Sequence, residues 1–377
     1  MSDTTQDNQL INVLQSLCLD TDKVDLDENT IKWAMQTGLS SIVFDYGNTQ
    51  ECSDSVIKNL VASKLTSQFW FQTQLNATKV IVQELNKQGI VPTLLKGISI
   101  STSYYPKPHY RTMRDIDILV DNDEVESFES ILPKLDYEQR STYSKEFYDS
   151  LHHTMPWQHC KDEIWIEVHK RLFPKTSPCC NAPVFQLEVI KKEIVIDDFY
   201  GLNISRLSKE FQIVYIATHW AERFKQISGV FALLDIALII NKHDSELDWN
   251  KIISWSNTPY VSNYVYLMLQ YLKKSELVSS SSNIDKCLKK LNHTLGFGVG
   301  SILNAMINYY LMKGGAFSRV LTTDNVALLW KHLLEPSFGV KKIVSIPLAV
   351  IFPKNSNKRF DVAFQYSRFK SFLSFKN

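Results

Sequence analysis

Two aspartates separated by one apolar residue open a predicted strand near the middle of the chain. Asp115 and Asp117 belong to the run Arg-Asp-Ile-Asp-Ile-Leu-Val at residues 114–120. Because successive side chains of a strand point to opposite faces, both carboxylates are expected on one face, and Ile116 and Ile118 on the other. Mg²⁺ typically takes one or two protein carboxylates together with substrate phosphates. The pattern therefore predicts a cation site and phosphate chemistry.

Two further segments are expected to place polar side chains beside these aspartates. Residues 163–169 alternate strictly, which predicts a strand with Glu167 on its polar face. Upstream, an apolar run over residues 90–95 predicts a short buried strand that ends at Lys96. Glu167 would be a third acid that the sheet presents beside the first two.

Helical patterns lie on both sides of these strands. Apolar residues at 56, 60, 61, 65 and 69 predict one face of a long helix, and Gly89 is a helix stop. Ser208 is a candidate N-cap where the pattern changes to long helices. Further elements are predicted as helices at 98–105, 124–135, 230–241, 249–255, 262–272 and 301–312, and as a strand at 151–158. We expect an α+β fold whose parts are an N-terminal helical region at 1–89, a mixed-sheet core at 90–204, a C-terminal helical domain at 205–340 and a basic aromatic tail at 341–377.

The composition is that of an ordinary globular protein. Hydrophobic residues make up 44% and charged residues 21%, and the net charge of +1 argues against a nucleic-acid binder that acts through global charge. The six cysteines lack CxxC spacing, which predicts reduced thiols. The first residues lack a secretory pattern, and no apolar run reaches the roughly 20 residues that cross a bilayer. We expect a cytoplasmic protein without a transmembrane segment.

In their order and spacing, these segments resemble a known protein family. The shared features are an apolar strand ending in Lys96-Gly97, an arginine before Asp-x-Asp, an acid-x-His strand at 167–169, and a helical region with His219 and Asp235. They are similar to a bacterial group of uncharacterised nucleotidyltransferases within the DNA polymerase beta-like nucleotidyltransferase superfamily. The resemblance implies a polymerase beta-like mixed sheet. It also implies transfer of a nucleoside monophosphate from an NTP such as ATP to an acceptor hydroxyl, with release of pyrophosphate.

The resemblance also implies roles for individual residues. Asp115, Asp117 and Glu167 would be catalytic and would hold Mg²⁺, with Mn²⁺ as the alternative ion. Glu167 would also take the proton of the acceptor hydroxyl. The acceptor is a small molecule, a saccharide or a protein. The residues implied in nucleotide binding are Lys96, Gly97, Ser99 and the arginines Arg111 and Arg114, which the sequence does not rank.

One departure from the superfamily pattern keeps other functions open. Well-characterised superfamily members carry a Gly-Ser pair after the first strand, where this chain has Lys96-Gly97-Ile98-Ser99. One alternative is a catalytically silent nucleotide-binding scaffold or regulator. Another is a toxin-type nucleotidyltransferase that acts on tRNA or protein, with the basic tail at 341–377 as its docking surface. Nucleic acid is not the favoured partner, and the same tail could contact an anionic membrane surface.

Histidines near the strands and one buried acid have simpler interpretations. His152, His153, His159 and Cys160 match the spacing of no closed Cys/His zinc site, so the sequence does not favour zinc there. His169 is interpreted as a structural residue or as one that supports a ligand. An unpaired charge in an apolar helix is costly, so Asp235 is predicted to pair with His219 or Arg223.

Overall fold

The structure is a computed structural model that describes residues 2–141, 143–222, 229–295 and 300. The predicted helix at 301–312 and the basic aromatic tail at 341–377 lie outside the described residues. The helices are α1 Ser2–Leu19, α2 Glu28–Gln36, α3 Ser40–Tyr46, α4 Asp54–Lys87, α5 Lys96–Tyr104, α6 Val125–Ile131, α7 Lys145–Asp149, α8 Leu187–Lys192, α9 Lys209–Glu222, α10 Gly229–His243, α11 Trp249–Trp255, α12 Pro259–Lys274 and α13 Ser282–Thr294. The strands are β1 Val24–Asp25, β2 Gly47–Asn48, β3 Thr93–Leu94, β4 Asp115–Leu119, β5 Tyr137–Gln139, β6 Trp157–His159, β7 Trp165–His169, β8 Ile194–Phe199 and β9 Leu202–Leu207.

Seven of the described strands form one mixed sheet, in the order β5-β6-β7-β4-β3-β9-β8. Its centre is the parallel pair β4 and β7, and β3 runs antiparallel to β4 on the other side. The sheet extends through β9, which is parallel to β3. This order places the strand of the two aspartates between the strand of Glu167 and the short strand before Lys96.

The two faces of the sheet bury different hydrophobic clusters. Ile116, Ile118 and Ile166 pack on one face with Ile81 and Leu85 of α4. On the other face α5 packs against β4, and α10 packs against α5. A second, larger core is formed mostly by residues of α9 to α12, together with α1 to α3. Alternation along β4 and β7 therefore directs the apolar side chains to α4 and the acidic ones to the opposite face.

The predicted α+β class with a mixed sheet is confirmed, and so are the N-terminal helices and the helices at 230–241, 249–255 and 262–272. The predicted apolar face of the long helix is correct only in part. Val56 and Leu60 are buried, but Leu65 and Phe69 are 58% and 66% exposed. The helix is a continuous 34 residues that buries side chains towards both ends, and Leu65 and Phe69 lie in the stretch between them, which has no buried residue.

Three other elements differ from their predictions. The strand expected at 151–158 is wrong over most of its length, because only Trp157–His159 joins the sheet, antiparallel to β7. The helix expected at 124–135 ends at Ile131 and continues as a 3-10 turn that contains Pro133, a residue without a backbone N–H. The strand before Lys96 has only two residues, and Lys96 is already the first residue of α5. The division of the chain into domains stays a prediction.

Candidate functional site

Three carboxylates lie together on the face of the sheet opposite α4; we call Asp115, Asp117 and Glu167 the carboxylate cluster. Asp117 pairs directly with Glu167 in the register of β4 and β7, and Asp115 pairs with Trp165 two residues earlier. Asp117 is 6% exposed, and the Glu167 side chain keeps 23% of its surface in solvent. Strand alternation and parallel pairing thus bring together acids that lie about fifty residues apart in the sequence.

Positive and neutral groups border this cluster. Lys96 places its Nζ 3.5 Å from Oδ2 of Asp117. His169 contacts the other oxygen, with its Nε2 2.6 Å from Oδ1 of Asp117 and 3.6 Å from Oε2 of Glu167. His153 has its Nε2 3.8 Å from the same Glu167 oxygen. Asp117 therefore has a partner on each of its two oxygens.

The electrostatic consequences differ among the three acids. For Asp117, burial favours the neutral form, but Lys96 and His169 outweigh it and hold its pKa well below the usual range. For Asp115, burial together with the charges of Asp117 and Glu167 raises the pKa to about 7. Burial also acts on Glu167, yet its hydrogen bond with His169 leaves its pKa lowered. Asp115 carries the charge that its surroundings compensate least.

The composition of this cluster suits a divalent cation. Carboxylate oxygens are the ligands that hard ions such as Mg²⁺ and Mn²⁺ prefer. The raised pKa of Asp115 shows that a third negative charge is unfavourable among the side chains present, and a bound cation would offset that repulsion. The residues that could hold the ion are Asp115, Asp117 and Glu167.

The predicted phosphate-binding residues lie at the first turn of α5, next to the cluster. Lys96 has φ +38°, in the left-handed region that non-glycine residues seldom adopt. A Cβ on Gly97 would lie 3.1 Å from Sδ and 3.2 Å from Cβ of Met113, so glycine permits this close packing. Ser99 is buried, and its Oγ accepts a hydrogen bond of 3.0 Å from Nη1 of Arg206.

The two arginines that the sequence could not rank have different surroundings. Arg111 donates from Nε and Nη2 to both oxygens of Asp235, at 2.9 to 3.1 Å, and Tyr105 donates its hydroxyl to Asp235 at 2.8 Å. We call Arg111, Asp235 and Tyr105 the arginine cluster. Arg114 is exposed, one residue before Asp115.

The arginine cluster also answers the prediction for Asp235. Its partners among the described residues are Arg111 and Tyr105, whereas the sequence suggested His219 or Arg223, and Arg223 lies outside the described residues. His219 instead lies near enough to Asp117 to help lower the pKa of that carboxyl. Sequence reasoning missed these contacts because they join α10 to the loop before β4, more than 120 residues away.

His152 is a residue of this region that was considered as a zinc ligand from the sequence and not favoured. It is 2% exposed, and its ring centroid lies 4.9 Å from that of His169 and 4.8 Å from that of His153. Three potential ligand atoms lie within 4.8 Å of one another, one from each of His152, Glu167 and His169. Spacing along the sequence could not identify this group, because His169 belongs to β7. Only the fold shows that His169 pairs with His153.

Among the described residues, every helix is too short or too polar to cross a lipid bilayer.

Comparisons with known proteins identify the family. The sequence profile described as "Uncharacterised nucleotidyltransferase" matches residues 24–275, more than half of the chain. The chain therefore belongs to this nucleotidyltransferase family.

A solved structure also matches the chain, at low identity. It is the crystal structure of an antigenic nucleotidyltransferase-like protein from Paracoccidioides brasiliensis, with 17% identity and a TM-score of 0.37. The match covers 57% of this chain and 92% of that one. No curated protein shows significant similarity to the chain.

Proposed function

We propose that this member of the nucleotidyltransferase family is a Mg²⁺-dependent enzyme that moves a nucleoside monophosphate from an NTP to an acceptor hydroxyl. The observation that carries the proposal is the register of β4 and β7, which sets Asp117 beside Glu167 with Asp115 two residues away on the same face. In the reaction, the acceptor oxygen bonds to the α-phosphorus, and the bond to the bridging oxygen breaks as pyrophosphate leaves.

The carboxylate cluster would hold the ion. When bound, the ion would neutralise negative charge on the triphosphate. Among the side chains of the chain, Glu167 is the base for the acceptor proton. Its lowered pKa keeps it ionised at neutral pH, and its partial exposure leaves it accessible to an acceptor. Mn²⁺ is the alternative ion for the same oxygen ligands.

Lys96 and Arg114 are the side chains we assign to the phosphates. Lys96 lies 3.5 Å from Asp117, so a cation bound by that carboxylate would free its ammonium to contact a phosphate oxygen. Arg114 is exposed beside Asp115 and can reach a ligand from the solvent side. Arg111 is already bound by Asp235, and we assign it to holding Gly97 and the first turn of α5 in place.

Nucleotide binding tests this proposal directly. ATP, GTP, CTP and UTP would be titrated calorimetrically, with and without Mg²⁺, into the wild-type protein and the Asp115→Asn/Asp117→Asn double variant. We expect Mg²⁺-dependent binding of at least one nucleotide, lost in the double variant. Asp123→Asn, an exposed acid beyond the end of β4, is the matched control and should bind as the wild type does. Equal binding by the double variant would refute the assigned site.

A catalytically silent nucleotide-binding protein is the second candidate, and one observation favours it. Ser99 carries the hydroxyl that lies closest in the sequence to the position of the Gly-Ser pair in other superfamily members. This hydroxyl is buried and accepts a hydrogen bond from Arg206. Such a protein would bind Mg²⁺ and nucleotide but would release no pyrophosphate with any acceptor. A pyrophosphate-release assay with hydroxyl acceptors from small molecules, saccharides, proteins and tRNA separates the two candidates. The tRNA arm also tests the toxin-type alternative.

A further inference from the structure

We propose that His152, Glu167 and His169 form a separate binding site for a divalent transition metal, with zinc as its best-suited ion. One ligand atom of each residue lies within 4.8 Å of those of the other two. Two imidazoles and one carboxylate are a ligand set that favours zinc and its neighbours over Mg²⁺, which prefers oxygen ligands. The site shares Glu167 with the carboxylate cluster but does not depend on nucleotidyl transfer.

The environment of His169 is the first argument for this site. Its Nε2 contacts the ionised carboxylate of Asp117 at 2.6 Å, so this nitrogen carries a proton and donates it. Its Nδ1 is buried and makes no hydrogen bond within the part of the chain that the structure describes. Metal-binding histidines usually donate their second ring N–H to a carboxylate, which fixes the ring and the tautomer. The pair Asp117 and His169 has this arrangement.

The environment of Glu167 is the second argument. His153 has its Nδ1 2.7 Å from the backbone carbonyl of Thr154, which can only accept, so Nδ1 carries the proton. In the neutral ring, Nε2 is then an acceptor, and it lies 3.8 Å from Oε2 of Glu167. A neutral His153 therefore donates no hydrogen bond to this carboxylate oxygen. The 23% exposure of the Glu167 side chain gives an ion access to the buried imidazoles.

The histidines at this site come from two segments of the chain. His152 and His153 lie in the loop before β6, and His169 ends β7, opposite His153 in an isolated antiparallel bridge. A His₂Glu set with one open position is the ligand pattern of catalytic rather than structural zinc sites. An ion held there would lie close to Asp117, which contacts its ligand His169.

The test uses Zn²⁺ alone with the metal-stripped full-length protein. Zinc affinity would be measured by competition with a chromophoric chelator, in excess Mg²⁺, for the wild type and for His152→Ala. We expect one tightly bound zinc in the wild type and a zinc affinity at least about 100-fold lower in His152→Ala. Loss of a residue that only hydrogen-bonds a metal ligand already lowers metal affinity 10–100-fold, and His152 would be a ligand itself. His159→Ala is the matched control, because His159 lines a cleft against α4 on the other face of the sheet. It should bind zinc as the wild type does.

A measurement without variants guards against a His152→Ala protein that does not fold. X-ray absorption on the zinc-loaded wild type should show imidazole nitrogen and carboxylate oxygen at about 2.0–2.2 Å and no sulfur. Sulfur in the first shell would assign the zinc to the cysteines and overturn the proposal. So would absence of tight zinc binding by folded wild type, or equal affinity in His152→Ala and His159→Ala.

A third variant separates this proposal from the proposed function. Asp115→Asn removes a carboxylate of the Mg²⁺ site and leaves His152, Glu167 and His169 unchanged. We expect it to lose Mg²⁺-dependent nucleotide binding while retaining zinc. Loss of zinc affinity in Asp115→Asn equal to that in His152→Ala would show one site rather than two and would overturn the proposal of a separate site.

Discussion

The carboxylate cluster and the arginine cluster are both buried and charged, but only one of them is balanced. In the arginine cluster, one guanidinium and one carboxylate pair through three contacts, and Tyr105 fills a further position on Asp235. In the carboxylate cluster, three acids face Lys96 and His169, and the pKa of Asp115 is raised to about 7. A balanced buried pair holds elements together, whereas a surplus of one charge indicates a place prepared for a ligand of the other sign.

The same contrast explains why each cluster lies where it does. The arginine cluster joins α10 to the end of α5 and to the loop before β4, so it fixes the helical part of the protein against the site. Burial raises the pKa of Asp235, and the contacts of Arg111 to both of its oxygens act in the opposite direction. We therefore assign a supporting role to the arginine cluster and a binding role to the carboxylate cluster.

The largest effect should come from breaking the balanced cluster. Asp235→Ala leaves Arg111 buried without its carboxylate, so the free energy of unfolding should fall by about 3–5 kcal/mol. Urea denaturation followed by circular dichroism measures this change. Asp123→Ala, an exposed acid, should leave the unfolding midpoint where it is. A fall for Asp235→Ala no larger than for the control would show that Arg111 finds another partner and that the cluster is not structural.

Adding a ligand to the unbalanced cluster should have the next largest effect. A cation that binds only the folded protein stabilises it by about 2.7 kcal/mol at one hundred times its Kd. We therefore expect saturating Mg²⁺ to raise the melting temperature of the wild type, measured by calorimetry. Asp115→Asn should abolish this rise, whereas Asp235→Asn should keep it although its starting temperature is lower. A rise of equal size in all three proteins would place the cation elsewhere.

Removing the surplus charge should stabilise the metal-free protein, in contrast to Asp235→Ala. The pKa of Asp115 in the folded protein, about 7, lies above its ordinary value of 3.8. Its contribution is therefore fully favourable below about pH 4 and is lost as the pH rises through 7. Three pKa units correspond to roughly 4 kcal/mol, of which Asn retains part as the cost of burying an amide. We expect Asp115→Asn to gain about 2 kcal/mol at pH 8.

Unfolding titrations at pH 4 and pH 8 in the presence of EDTA measure this difference. The wild type should lose stability relative to Asp115→Asn between these pH values, and the two proteins should approach each other at pH 4. Asp123→Asn is again the control, because it removes an acid without removing a buried one. If the gain at pH 8 is absent, then solvent or Lys96 already compensates Asp115, and the contrast between the clusters is smaller than the structure indicates.

The sequence alone led to one of these clusters and not to the other. The acids of the carboxylate cluster follow from strand alternation, a local pattern that states which side chains share a face. Glu167 could be added because its own strand alternates in the same way. Nothing local connects Arg111 with Asp235, since their contact depends on how α10 packs over α5. The approach of His152 to His169 could not be predicted for the same reason, because His152 lies in a loop that was expected to be a strand.

The fold shows the same division between local and distant causes. Long helices and the alternating strands were predicted well, because periodicity records burial along one element. The exposed side chains Leu65 and Phe69 were predicted as part of a core face, since periodicity cannot show that a 34-residue helix is buried towards both ends but not in the stretch between them. Lys96 was expected at the end of a strand but begins a helix with φ +38°, a conformation that no pattern of residue types indicates.

The smallest of these effects should come from Tyr105, which tests whether the arginine cluster is balanced by two residues or by three. Tyr105→Phe keeps the buried ring and removes one hydrogen bond to Asp235, so the free energy of unfolding should fall by about 1.5 kcal/mol. Tyr104→Phe is the matched control from the neighbouring position, because its hydroxyl accepts only a long 3.5 Å contact from Gln212. Chemical denaturation of both variants compares them directly. Equal, small losses would mean that Arg111 alone balances Asp235, and the comparison of the two clusters would then rest on that single ion pair.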